Sequence, residues 1–114
     1  IANREPDILC VITNDGWWQN TAGYKQHFQY SRLRAIEQRR SVVRSANTGI
    51  SGVIDVKGEI IQQTDWDEEI VFSHILQTSN KKTFYNKYGD YIGRVSMFIF
   101  VIFVLITIVK KKLI

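Results

Sequence analysis

Few side chains in this 114-residue chain have both the chemistry and the setting for catalysis. Cys10 is the sole cysteine, so no disulfide can form within the chain and no cysteine-rich metal site exists. As a nucleophile it would need exposure and a base or an electropositive setting to favour thiolate. It stands instead within Ile8–Thr13, read ILCVIT, where Ile8, Cys10 and Ile12 share one face. The pattern predicts a packed, inert thiol. His27 and His74 have no second ligand at metal-binding spacing, so no metal site is expected. His27 lies near a helix start, where it can face a cleft; His74 alternates with apolar residues and reads as a structural histidine in a strand. Asp67, Glu68 and Glu69 read as a solvated turn, and Gly49–Gly52 lacks the lysine and following helix of a phosphate loop.

Thr13-Asn14-Asp15-Gly16-Trp17-Trp18 is the segment with the most chemical content. It puts polar side chains and two tryptophans at the C-terminal end of an apolar strand, the end where layered α/β folds place their ligands. Tryptophans there can wall an apolar pocket or sit at a membrane surface, or they can staple a turn to the core.

The elements that must hold this loop follow from pattern. Ile8–Thr13 reads as a buried strand, apolar on both faces as in a central strand. From Tyr24 to about Arg39 there is no Gly or Pro, and Phe28, Leu33 and Ile36 form an apolar stripe with Gln29, Arg32 and Arg39 outward: an amphipathic helix. Ser41–Ala46, Ile50–Ile54, Glu59–Thr64 and Glu69–Leu76 are β-prone runs, with Asp55-Val56-Lys57-Gly58 a hairpin turn. Thr83–Tyr88 reads as one helical turn. Strand, helix, then hairpin strands give an α/β layer. One helix cannot cover both faces of such a sheet, so residues 1–93 alone are expected to be unstable, with the first strand an open edge. The start at Ile1, without Met, predicts a missing N-terminal part.

Val95–Val109 (VSMFIFVIFVLITIV) carries no charge and is bracketed by Arg94 and by Lys110, Lys111 and Lys112. Fifteen helical residues reach about 22 Å, short of a ~30 Å hydrocarbon core; adding Tyr91–Gly93 and letting the basic ends snorkel brings it close to spanning. The net charge of +4 is the sum of those four basic residues, since residues 1–93 carry 11 charges of each sign. The pI of 9.3 is therefore a topology signal and no nucleic-acid footprint. Three terminal lysines predict a cytoplasmic C-terminus with the body on the outer side. The chain divides into a body, 1–90, and a membrane helix with a basic tail, 91–114.

Several motifs in order resemble one family. They are Thr13, Asn14, Asp15, Trp17 and Trp18; then Gln26 and His27; then Ser31 to Glu37 (SRLRAIE); then Arg44, Ser45, Asn47, Thr48, Gly49 and Ile50. With the terminal helix, they resemble the C-terminal end of the apolipoprotein N-acyltransferases, membrane enzymes with a nitrilase-like (carbon–nitrogen hydrolase) domain. The resemblance is strong over residues 8–60 and extends to the rest by layout.

That resemblance implies the C-terminal part of an αββα sandwich followed by one transmembrane helix. It implies a Glu-Lys-Cys triad, and transfer from a phospholipid acyl donor to the α-amino group of a diacylglyceryl-cysteine on a lipoprotein acceptor. No cofactor is implied. The setting is the bacterial inner membrane, with the body periplasmic. The family's nucleophile sits in a Cys-Tyr-Glu turn ahead of the strand that leads into the loop, and Cys10 matches no triad position. No catalytic group is therefore expected within the chain, which alone should be inert. Asn14 and Asp15 are expected to order the loop beside the nucleophile, Trp17 and Trp18 to line acyl access, and His27 and Arg34 to support loop and helix. Other readings are a membrane-anchored carbon–nitrogen hydrolase that uses water as acceptor, and a non-catalytic tail-anchored module whose tryptophan loop binds a partner or the bilayer.

Overall fold

The computed structural model describes residues 6–113. Strand β1 (Ile8–Thr13) leads through a 3-10 turn (Gly16–Trp18) into helix α1 (Ala22–Gln38). Strands β2 (Ser41–Ala46), β3 (Gly52–Ile54) and β4 (Ile60–Gln63) follow, then helices α2 (Phe84–Tyr88) and α3 (Tyr91–Leu113). The sheet runs β1-β2-β3-β4. β1 and β2 are parallel, from Ile8 opposite Ser41 to Thr13 opposite Ala46, as a helical crossover between neighbouring strands requires. The remaining pairs are antiparallel.

The β3–β4 turn forms as its sequence predicts. Asp55 Oδ1 accepts from the backbone N–H of Lys57 (2.8 Å) and Glu59 (2.7 Å). Gly58 takes φ +85°, a left-handed conformation open to glycine at no steric cost.

α1 covers one face of the sheet. Tyr24, Phe28 and Ala35 pack with Val42, Ile50 and Ile54, and Leu9, Val11 and Trp66 close the cluster. The Trp66 ring stands 4.4 Å from that of Tyr24. The buried stripe of α1 is therefore Tyr24, Phe28, Ser31 and Ala35, and the expected stripe is corrected: Leu33 is 45% and Ile36 41% exposed. Small Ser31 and Ala35 let the helix axis approach the sheet, which bulkier residues at those positions would prevent. Arg32 is not simply outward either; its Nε donates to the Gly58 carbonyl at 2.8 Å.

Among the described residues β1 lies at the sheet edge, as expected, although its apolar pattern is that of a central strand. Its second face is open among the described residues, with Ile12 89% exposed. Cys10 is exposed on that same face, so the expectation of a packed thiol is corrected; a strand's alternation fixes which residues share a face and leaves open what covers it. Glu69–Leu76 forms no strand, and His74 within it is exposed. The stretch leading to α2 is held by side chains instead of a ladder. Ser41 Oγ donates to the Gln77 carbonyl and Arg40 Nη1 to the Lys81 carbonyl, each at 2.9 Å. β-Prone composition alone does not supply a partner in register.

α3 is the one helix among the described residues long and apolar enough to cross a membrane, and none of its apolar stretch is buried. Its 22 residues from Tyr91 to Lys112 reach about 33 Å, a full hydrocarbon thickness.

Candidate functional site

The loop that leaves β1 is built by short-range bonds. Asn14 Oδ1 accepts from the Gly16 N–H (3.0 Å), and the Trp18 N–H donates to the Asp15 carbonyl (3.0 Å), winding the 3-10 turn. Thr21 then starts α1: its Oγ1 donates to the Trp18 carbonyl at 2.6 Å and accepts from the Gly23 N–H at 3.3 Å. Trp18, 49% exposed, lies flat against the first turn of α1, where a Cβ on Gly23 would come within 2.6 Å of its ring. Trp17, 86% exposed, projects away from the body. The two tryptophans thus part company, one fastening the loop and one free to meet something beyond it.

Asp15 is the hub beneath the loop, and its side chain is fully out of solvent. Thr13 Oγ1 donates to Oδ1 at 3.1 Å, and His27 Nδ1 lies 2.8 Å from the same oxygen. Arg44 Nη2 donates to Oδ2 at 2.7 Å. Arg44 is itself buried, with Nε donating to the Ile50 carbonyl (3.1 Å) and Nη1 to Ser31 Oγ (3.0 Å). One carboxylate and one guanidinium so tie together the loop, α1, β2 and the turn after β2. Gly49 makes room for them, since a Cβ there would stand 2.1 Å from Asp15 Oδ2.

The electrostatics follow from this geometry. Burial alone would raise the Asp15 pKa; the hydrogen bonds from His27 and Arg44, and the charge of Arg44, outweigh it and hold the carboxyl below its ordinary value. Asp15 is therefore ionised at neutral pH with a donor on each oxygen, which suits an anchor and not a general base. An ionised carboxylate has no hydrogen to give, so Nδ1–H is the donor where His27 bonds Asp15; Arg44 Nη2 stands 3.1 Å from the same nitrogen and competes for it as an acceptor.

Of the residues expected at the site, Asp15 and His27 bond each other, Asn14 and Trp18 shape the same loop, and Trp17 projects from it. Arg34 does not join them. Its Nη1 donates to Glu37 Oε2 at 2.6 Å, an i,i+3 pair on the helix surface. The Tyr85 side chain of α2 and then Glu37 raise its already high pKa. Arg44, Ser31 and Thr13 stood in the quoted motifs without a role. The readable signal was a charge inside an apolar strand, Arg44 between Val43 and Ser45 on the face of Val42. Among the described residues no cluster of His, Cys, Asp and Glu could hold a metal ion.

Residues 1–81 match the carbon-nitrogen hydrolase family. The chain is 39% identical over 102 residues to apolipoprotein N-acyltransferase 2 of Treponema denticola, covering 89% of this chain and 19% of that protein. It is 33% identical over 109 residues to apolipoprotein N-acyltransferase of Chlorobaculum tepidum, 96% of this chain and 20% of the relative. With the Rickettsia bellii protein of the same name it shares 34% over 113 residues, 98% of this chain and 22% of the relative. The chain spans about a fifth of the length of the curated relatives it matches. A β-strand running into an Asn-Asp-x-Trp loop, a helix packed on the sheet, and a family match over most of its length lead to one conclusion: the chain belongs to the carbon–nitrogen hydrolase family.

Proposed function

We propose that this chain is the C-terminal part of an N-acyltransferase. The enzyme moves an acyl chain from a phospholipid to the N-terminal diacylglyceryl-cysteine of lipoproteins. The observation that carries this reading is the loop at the end of β1, fixed from below by the buried Asp15–Arg44 pair, on a body joined to a helix of membrane length. Residues 1–90 form part of an αββα sandwich, and residues 91–114 anchor it in the bacterial inner membrane with the body periplasmic and the lysines cytoplasmic.

A Glu-Lys-Cys triad supplied by segments outside these 114 residues performs the chemistry. The thiolate attacks the phospholipid ester carbonyl and expels a lysophospholipid alkoxide, which takes a proton from the glutamic acid. The lysine steadies the oxyanion. The acceptor's free amine then attacks the thioester, gives a proton to the glutamate and releases the thiolate. Cys10, inside a strand, has no part in this. Asn14 and Asp15 hold the loop beside the nucleophile, His27 braces Asp15 from α1, and Trp17 faces the acyl chain.

The test is to trap the acyl-enzyme. Full-length protein incubated with phospholipid and no acceptor, then digested and mapped by mass, is expected to carry one acyl thioester on a cysteine outside this chain. A thioester on Cys10 overturns the assignment of the triad, and no thioester overturns the two-step transfer.

A further inference from the structure

The residues between the body and the membrane helix form a surface of their own. α2 is one and a half turns long, started by Thr83, whose Oγ1 accepts from the Asn86 N–H at 3.0 Å. Phe84, Tyr88 and Tyr91 are all exposed. They nonetheless stack on one another: the Phe84 ring stands 4.3 Å from Tyr88 and 4.8 Å, edge-on, from Tyr91 at the start of α3. Basic residues flank this patch. Lys87 Nζ lies 5.3 Å from the centre of the Tyr88 ring, and Lys81, Lys82 and Arg94 stand close by in the chain. Across residues 81–94 four basic residues face a single acid, Asp90.

That acid is committed to structure: Asp90 Oδ1 accepts from the Gly93 N–H at 2.9 Å in the first turn of α3. α2 is bolted to the end of α1. Thr83 Oγ1 donates to the Glu37 carbonyl, and Asn86 Nδ2 donates to the Gln38 carbonyl at 3.3 Å. One side of α2 is thus occupied by the body, and the aromatic side is left outward where the membrane helix begins.

We propose that this aromatic and basic patch is an interfacial platform that lies in the phospholipid headgroup layer, its rings at headgroup depth and its lysines on anionic phosphates. The chemistry matches on both counts. Aromatic rings with a polar tip settle at the membrane–water interface, and juxtamembrane lysines are drawn to anionic lipid. The patch is also continuous with the span, since Tyr91 belongs to both. Because α2 is fixed to α1, the platform sets the tilt of α1, and with it the height of the His27–Asp15 loop over the bilayer. The inference rests on α3 crossing the membrane.

The test uses full-length protein in nanodiscs of mixed phosphatidylglycerol and phosphatidylcholine, with photoreactive p-benzoylphenylalanine replacing Phe84, Tyr88, Lys57 or Phe100 one at a time. Irradiation is expected to give phospholipid adducts at positions 84, 88 and 100, and none at 57 on the hairpin turn. Adducts at 100 with none at 84 and 88, or with protein adducts there instead, overturn the platform and leave the span intact. No lipid adduct at 100 removes the span and the platform together. Lys81→Gln, Lys82→Gln and Lys87→Gln combined are expected to lower the phosphatidylglycerol share of the adducts at 88 several-fold; an unchanged share overturns recognition of anionic lipid.

Discussion

Arg44 Nη2 stands 2.7 Å from Asp15 Oδ2, and neither side chain reaches solvent. Two residues 29 positions apart are joined by a charge-assisted bond that fixes the loop after β1 to the strand beside it. Such a pair gives little net stability over an apolar equivalent, yet losing one partner leaves a buried charge unanswered. Its value here is placement. The Ile50 carbonyl and Ser31 Oγ hold the guanidinium while Thr13 and His27 hold the carboxylate, so the loop has one position and not several.

Asp15→Ala should therefore destabilise the full-length protein by about 3–5 kcal/mol, the cost of orphaning a buried charge. Arg44→Met should do likewise, and the double variant should lose clearly less than the sum of the two. A thermodynamic cycle from denaturant unfolding checks this; strictly additive losses would show that the two side chains are not coupled.

The same pair sets a response to acid. The native pKa of Asp15 lies below its ordinary 3.8, so between the two values the unfolded chain binds more protons than the folded one. Its stabilisation is fully present above pH ~4 and is lost as pH falls through the native value. Unfolding midpoints measured from pH 6 down to 2 should drop below pH 4, and Asp15→Asn should flatten that limb while lowering stability at neutral pH.

Gly49→Ala should be among the most damaging alanine substitutions at a glycine in this chain. The new Cβ would meet the Asp15 carboxylate at 2.1 Å and the Asp15 Cβ at 2.5 Å, both held by buried partners. Overpacking of this kind costs roughly 1–3 kcal/mol, and displacing the carboxylate adds to it. Gly16→Ala, where the nearest atom is Asn14 Oδ1 at 3.0 Å, should cost less. Thermal midpoints of the two variants side by side give the answer, and equal losses would mean that the carboxylate can move aside.

Cys10→Ser should leave acyl transfer by the full-length enzyme within about twofold of the parent, since the proposed nucleophile is a different cysteine. Initial rates with a lipopeptide acceptor decide it; an abolished rate would make this thiol the nucleophile.

Much of this architecture could be read from local pattern. The strands Ile8–Thr13 and Ser41–Ala46, the turn at Asp55–Gly58, the helical turn at Phe84–Tyr88 and the long apolar helix after it all carry their signals within a few residues. The failures share one cause. Leu33 and Ile36 looked like the buried stripe of α1, but the sheet beneath selects small and polar Ser31 because Arg44 needs an acceptor there. Cys10 and Ile12 looked buried because they are apolar, and burial depends on what lies opposite. Glu69–Leu76 had the composition of a strand and found no partner. The loop's polar and aromatic content was legible; that Arg44 anchors it was not, because a charge among valines tells of a partner without naming it.

Transfer to an amine leaves its mark on the mass of the acceptor. Full-length protein in detergent, given phospholipid and a synthetic peptide bearing an N-terminal diacylglyceryl-cysteine, should raise the peptide's mass by one acyl chain on its α-amino group and release lysophospholipid in equal amount. A peptide of unchanged mass beside accumulating free fatty acid would contradict the account and make the protein a hydrolase.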